Sequence, residues 1–252
     1  MRARPGRREL ADCAARLAET HMSEIDGARL TAIPTSRLGN AGADRRGCPV
    51  MALEFTLTWD YRCPFARNAH EHVLTGLAAG ADWDVTFAAF SLGQAHVEEG
   101  QPDVWDAPDE DSGLLALQAG VVVRDEHPDV FPAVHRALFA LRHDQAKQLN
   151  ERGEVATVLT DNGVPADAVL DLIDSGQALA RVRADHERYV ASHAVWGVPT
   201  FIAADQAVFV RLMDRSPAGA DPTHSVRTVE RVVDLLTGWA DLNEFKHTSI
   251  PR

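Results

Sequence analysis

One sulfur in the chain sits where sulfur chemistry is expected. Cys63 lies in the run Thr56-Leu57-Thr58-Trp59-Asp60-Tyr61-Arg62-Cys63-Pro64-Phe65-Ala66-Arg67. Leu53 to Trp59 alternates apolar and polar residues and is rich in β-formers, which predicts a strand. Asp60-Tyr61-Arg62 reads as a short turn. Beyond it Phe65, Ala69, Val73 and Leu77 recur at spacings of four, which predicts a helix over Pro64–Ala79. Pro64 suits the first helical turn, where a missing N–H costs nothing. A thiol at that junction faces the positive end of the helix dipole, which favours the nucleophilic thiolate. Arg62 could add to this effect, or it and Tyr61 could be solvated turn residues. Phe65 is expected to pack beside the site. A free cysteine elsewhere is more often a small buried hydrophobe.

Composition narrows the functions open to the chain. The chain has 252 residues, 45% of them hydrophobic, enough for a substantial core in one or two domains. Its net charge is −12, unevenly spread: residues 1–50 carry nine Lys/Arg against six Asp/Glu, and the remainder 16 against 31. An acidic body repels nucleic acid. No apolar run reaches the roughly 18 residues of a membrane span, and the Arg-rich start lacks the apolar segment of a signal peptide. Neither a nucleic acid nor a membrane is therefore an expected partner. Three cysteines (Cys13, Cys48, Cys63) make no disulfide framework, so a reducing cytoplasm is the expected setting.

In chain order, Glu9–Met22 could form a helix. The rest of residues 1–51 has no sustained period and is expected to be a flexible extension. Met51 directly precedes the first strand, which leaves open that the native chain starts there. After the helix, closed by Gly80, Asp82–Leu92 predicts a second strand parallel to the first. The acidic, proline-containing stretch from Gly93 to Gly113 reads as an unanchored loop or lid. Helical periods then fill Leu114–Val123, Phe131–Lys147, Gly153–Asn162, Asp167–Asp174 and Gln177–Ser192. Trp196–Ala203 returns to strand chemistry, Asp205-Gln206 to a turn and Ala207–Leu212 to a partner strand. Val226–Trp239 is amphipathic, with Val226, Val229, Val232 or Val233, and Leu236 in one stripe.

The order is that of an α/β protein, a thioredoxin fold with an inserted all-helical domain. Residues 52–92 and 194–250 form the thioredoxin-like part, and 93–193 the insertion. With Cys63-Pro64-Phe65-Ala66 at a strand–helix junction and Gly197-Val198-Pro199-Thr200 opening a later strand, the chain resembles the DsbA-like thioredoxin superfamily. Within it the resemblance is to the branch of FrnE-type proteins, kappa-class glutathione transferases, 2-hydroxychromene-2-carboxylate isomerases and mycothiol-dependent nitroreductases. The closing Asn243-Glu244-Phe245-Lys246-His247-Thr248 is similar to the tail of the mycothiol-linked members.

The resemblance implies that Cys63 is catalytic and that Pro199 is a cis-proline beside it. The Val198 N–H and C=O would then be free to pair with a peptide-like ligand, with Thr200 as a supporting hydroxyl. Tyr61, Arg62, Pro64, Phe65, Trp196, Val198, Pro199 and Thr200 make the expected thiol-binding surface. Trp196 reads either as core or as an aromatic wall. The chain departs from the disulfide-forming members at Ala66, where they carry a second cysteine. A mixed disulfide on Cys63 would then need an outside thiol to resolve it, mycothiol or glutathione acting as co-substrate, with Cys48 a remote alternative. The expected activity is monothiol thiol–disulfide exchange on a small-molecule or protein disulfide. The alternatives are a kappa-class-transferase-like or isomerase-like enzyme that activates a bound thiol, and a non-catalytic binding module. A homodimer is left open.

No tightly bound cofactor and no metal is expected. Among the eleven histidines, His70 and His72 face different directions of one helix. His135 and His143 share a face without a completing carboxylate or cysteine. His143-Asp144 could line a cleft above Cys63 or lie in solvent. The acidic cluster from Asp103 to Asp111 reads as a solvated loop.

Overall fold

The computed structural model describes residues 52–246. The expected N-terminal extension, with Cys13 and Cys48, lies outside the described residues, as do His247 and Thr248 of the tail. Strand β1 (Leu53–Trp59) leads through the turn at 60–62 into helix α1 (Pro64–Ala78). Gly80 follows at φ +82°, a left-handed value that glycine adopts freely and that ends the helix. Strand β2 (Trp83–Ala89) pairs with β1 in parallel, Leu53 against Trp83 through Trp59 against Ala89. After the helical region come β3 (Thr200–Ala203) and β4 (Gln206–Phe209). The sheet order is β2-β1-β3-β4, with β3 antiparallel to both neighbours.

β2 is shorter than the expected Asp82–Leu92. The Ser91 hydroxyl accepts the Gln94 N–H and caps a single helical turn, Leu92–Ala95. The final hairpin is also shorter than expected: its turn is Ala204-Asp205, and residues 196–199 lie outside the ladder.

The helical region consists of α2 (Leu114–Glu126), α3 (Phe131–His143), α4 (Arg152–Asp161), α5 (Ala166–Asp174) and α6 (Gln177–His193). Helix α3 stops short of the expected Lys147, with Asp144 as its C-terminal cap. The final helix, α7 (Pro222–Gly238), begins at Asp221, whose carboxylate accepts the Thr223 N–H.

Two cores hold these elements. Phe55 and Leu57 of β1 pack with Ala69 and Val73 of α1, Phe201, and Val229, Val233 and Leu236 of α7. The stripe of α7 thus turns Val233 inward and leaves Val232 at the edge. On the other side Trp59, Ala88 and Ile202 join Leu117, Val121, Leu138, Leu159 and Val182 in one continuous core. Helical region and sheet therefore share buried surface. Each fully buried large side chain contributes about 1.5–3 kcal/mol.

The stretch from Gly93 to Gly113 is anchored, contrary to its reading as a free lid. Gln94 donates to Asp103 (2.7 Å) and accepts the Val104 N–H (3.0 Å), and Trp105 is buried. Asp111 accepts the Gly113 and Leu114 N–H groups at the start of α2 and pairs with Arg62. These side chains satisfy backbone groups that an irregular segment would otherwise leave bare.

Candidate active site

The carboxyl end of β1 and the amino end of α1 meet at Cys63. The residue is the helix N-cap, with φ −89° and ψ 116°. Its Sγ accepts the Ala66 N–H (3.4 Å) and donates its own proton to the Val198 carbonyl (3.2 Å). Pro64 occupies the first helical position and is exposed. Cys63 as a whole is 9% exposed. Cys63 is the free cysteine of the described residues. Ala66, where the family's second sulfur would sit, is fully buried.

The Val198-Pro199 peptide bond is cis, as the resemblance implied. Thr200 secures this loop twice over. Its hydroxyl donates to the Gly197 carbonyl (2.7 Å), and its N–H goes to the Thr58 hydroxyl (2.9 Å) rather than to a ladder carbonyl. The strand pairing ends here because a side chain replaces the next rung. Thr200 is thus a supporting hydroxyl. The Val198 carbonyl, expected to be open to a ligand, is occupied by the Cys63 S–H.

The helix start favours the thiolate as expected, but burial opposes it. Burial pushes the Cys63 thiol above its ordinary range. The Ala66 and Phe65 N–H groups pull the other way, and the Asp60 carboxylate adds to the rise. The N–H groups of the helix start act in the expected direction, but desolvation outweighs them at a thiol this enclosed. Arg62 gives no help, because its charge is already neutralised. Its guanidinium contacts both Asp60 oxygens, the shortest at 2.6 Å, and Asp111 at 3.0 Å. These carboxylates hold it in its charged form.

Tyr61 is neither a solvated turn residue nor part of an open thiol-binding surface. It is fully buried, and its hydroxyl begins a chain of three hydrogen bonds: Tyr61 Oη to His135 Nδ1 (2.8 Å), His135 Nε2 to His70 Nδ1 (2.9 Å), His70 Nε2 to the Thr58 carbonyl (3.2 Å). A carbonyl can only accept, so His70 carries its proton on Nε2. His135 must then donate from Nε2, and Tyr61 donates to His135 Nδ1. Every proton is assigned, and both imidazoles are neutral. Burial agrees, holding His70 down to about 3 and His135 well below its usual value. The chain locks the turn from beneath. From the side, His143 Nε2 donates to the Tyr61 carbonyl (2.9 Å) and stacks on Phe139. His143 is therefore half-buried and bonded to the thiol's turn, not in solvent.

Spacing gave no warning of Asp60. Its carboxylate is fully buried and accepts the Arg62 and Leu92 N–H groups, 2.9 Å each. The signal was the position itself, since Asp in a turn bonds its own backbone two residues on. Three glycines give this cluster room. A Cβ at Gly120 would meet Tyr61 Oη at 2.3 Å, one at Gly113 would meet Arg62 Nε at 2.4 Å, and one at Gly93 would overlap the Asp111 carboxylate.

At the mouth, Phe65 is half-buried under the Arg211 guanidinium, 5.4 Å above its ring. Trp196 is neither core nor an enclosed wall. It is 68% exposed and packs on Phe209, their ring centres 4.7 Å apart. The site is thus an open, aromatic-edged surface around an enclosed sulfur. No metal ligand was expected, yet the fold brings His72, Asp214 and His224 together on the other flank of α1. No helix among the described residues is long and apolar enough to cross a membrane.

The family to which the chain belongs is shown by comparison with known proteins. A family model described as a DSBA-like thioredoxin domain matches residues 57–217, a span that includes Cys63 and Pro199. An uncharacterized protein of Mycobacterium tuberculosis is 26% identical over 162 residues, 64% of this chain and 69% of that protein. Among solved structures, a 2-hydroxychromene-2-carboxylate isomerase is similar at a TM-score of 0.51 and 15% identity, covering 76% of this chain and all of that one, a likeness of fold alone. The cytosolic disulfide reductase DsbM of Pseudomonas aeruginosa gives a TM-score of 0.49 at 15% identity, covering 73% and 100%. By the family match, carried over well more than half its length, the chain belongs to the DSBA-like thioredoxin domain family.

Proposed function

We propose that the protein is a thiol–disulfide oxidoreductase working through Cys63 alone, with a low-molecular-weight thiol such as mycothiol or glutathione as co-substrate. The observation that carries this reading is the placing of a lone sulfur between the Ala66 N–H and the Val198 carbonyl, with Ala66 at the position of a resolving cysteine. The Cys63 proton passes from Sγ to solvent, and the thiolate so formed keeps the Ala66 and Phe65 N–H groups. It attacks one sulfur of a disulfide R–S–S–R′. The Cys63–S–R bond forms, the S–S bond breaks, and R′–S⁻ departs with the electron pair to take up a proton. The thiolate of the outside thiol then attacks the R sulfur, forms a new disulfide with it and returns Cys63 as thiolate. The Val198 carbonyl, freed when the S–H ionises, can take an amide N–H of the incoming ligand, and the exposed Trp196 with the half-buried Phe209 and Phe65 offers it apolar surface. A single thiol that must stay reduced between turnovers suits a reducing, cytoplasmic setting.

A second reading follows from the raised thiol. In the resting site burial disfavours the thiolate of Cys63 relative to an exposed cysteine. The same surface could instead bind the co-substrate and ionise that thiol, as a kappa-class-like transferase or isomerase would. Turnover of a glutathionylated or mycothiolated disulfide by Cys63→Ser separates the two. Loss of activity supports the nucleophilic Cys63, and retention of most of it transfers the chemistry to the bound thiol.

A further inference from the structure

The second feature of α1 lies away from its sulfur. His72 is nine residues beyond Cys63, about 13 Å along the helix axis. Its ring is fully buried, and its Nε2 has no hydrogen-bond partner among the described residues. Opposite Nε2, at 3.5 Å, stands Asp214 Oδ2, and His224 Nε2 lies 2.7 Å from the same oxygen. The three donor atoms fall within 4.8 Å of one another. Asp214 comes from the connection after β4, and His224 from the first turn of α7.

The proton on His72 can be placed by following its other nitrogen. Thr75 Oγ1 donates to the Ser216 carbonyl (3.4 Å) and accepts from Arg136 (3.0 Å) and from the Ser216 hydroxyl (3.0 Å). With the Ser216 proton committed to Thr75, the Ser225 hydroxyl must donate to Ser216 across their 2.7 Å contact. Ser225 then accepts from His72, so Nδ1, 3.0 Å away, carries the hydrogen. A neutral His72 therefore presents a bare Nε2 lone pair to a carboxylate. Two acceptors facing each other at 3.5 Å lack the positive charge that would join them.

We infer that His72, Asp214 and His224 form a binding site for a divalent transition-metal ion of the Zn²⁺ class. Two imidazoles and one carboxylate suit such an ion and are a poor set for Mg²⁺ or Ca²⁺, which prefer oxygen. Bond lengths of about 2.0–2.2 Å set a tetrahedral edge of roughly 3.4 Å. The His72–Asp214 separation already meets this, and His224, with its side chain 62% exposed, has room to draw back from Asp214. The Ser225–Ser216–Thr75 hydroxyl relay is the outer shell that orients a ligating histidine. Three protein ligands leave a fourth position for water. The ion would clamp the β4–α7 connection and the start of α7 onto α1.

The test uses the full chain, stripped with EDTA, in a thiol-free reducing buffer, titrated with Zn²⁺ against a chromophoric chelator and followed by thermal unfolding. The expected result is one stoichiometric equivalent and a rise in the unfolding temperature on adding Zn²⁺. Affinity should fall at least tenfold, and the thermal shift disappear, in both His224→Ala and Asp214→Asn, whose side chains are more than half exposed and cost little to replace. A variant with Cys13, Cys48 and Cys63 all changed to Ser should bind as the parent does. Failure to take up an equivalent, unchanged binding in the two ligand variants, or loss of binding in the cysteine variant would each overturn the assignment.

Discussion

Lowering the pH from 7.5 to 5 should destabilise this protein through histidines that have no room for a proton. In the Tyr61–His135–His70–Thr58 chain each hydrogen already has an acceptor. Protonating His70 at Nδ1 would set N–H against N–H. Its pKa is held down to about 3 by burial, against an unfolded value near 6.5. Above pH 6.5 both states are neutral and the group is silent. Below it the unfolded chain binds the proton and the folded one refuses it, so stability falls with pH until the folded pKa is reached. At pH 5 the loss from His70 alone is about 2 kcal/mol, with a slope near 1.4 kcal/mol per pH unit. His186, held to about 4 by burial and accepting the Ser91 N–H, adds a similar loss of about 2 kcal/mol. His135 acts in the same direction. Against a total stability of roughly 5–15 kcal/mol this is a large fraction. Urea unfolding at pH 7.5, 6.5, 5.5 and 5.0 reads it directly, in a window where few carboxylates titrate. A stability constant to within about 0.5 kcal/mol across the series would refute the proton assignment and the burial argument together, since either alone requires the fall.

Further outcomes follow from the same contacts. Gly120→Ala sets a Cβ against the Tyr61 hydroxyl and should cost about 1–3 kcal/mol by overpacking. Combined with Tyr61→Phe it should cost less than the sum of the single changes, in a double-mutant cycle on urea unfolding. Thr58→Val leaves the Thr200 N–H without its acceptor and should destabilise by about 1–3 kcal/mol, with the Cys63 alkylation rate altered because the Pro199 loop shifts. The rate of Cys63 alkylation by iodoacetamide, read by peptide mass spectrometry, should keep rising through pH 9. A plateau below pH 7 would contradict the desolvated thiol. With glutathione as the proposed co-substrate, Arg211→Ala, which removes the guanidinium over Phe65, should raise KM for that dicarboxylate severalfold and leave kcat little changed.

Much of the architecture was written in local pattern. The alternation from Leu53 to Trp59, the four-residue spacing after Pro64 and the helical periods beyond Leu114 each reflect burial on one face, which sequence records directly. The element ends were less legible, because side chains decide them: Ser91 caps a turn where the apolar run continues, and Thr58 substitutes for a rung where β-formers continue. At the site, Cys63 and Pro199 announced themselves by type and company. The sense of the thiol's shift did not, since a dipole can be read from a helix start but desolvation depends on what folds over it. Arg62 looked like a free cation because Asp111, 49 positions on, supplies its second partner. His72, Asp214 and His224 share no spacing motif, and only the packing of α7 on α1 unites them.

The most direct test of the central proposal is intact mass measurement of the full chain and its Cys63→Ser variant, exposed to glutathione disulfide or mycothiol disulfide and then to the matching free thiol. The account predicts one adduct of a single thiol mass on Cys63, absent from the variant at that site and removed by the free thiol at a rate matching turnover. An unmodified Cys63 in a protein that nonetheless turns over a mixed disulfide would contradict it.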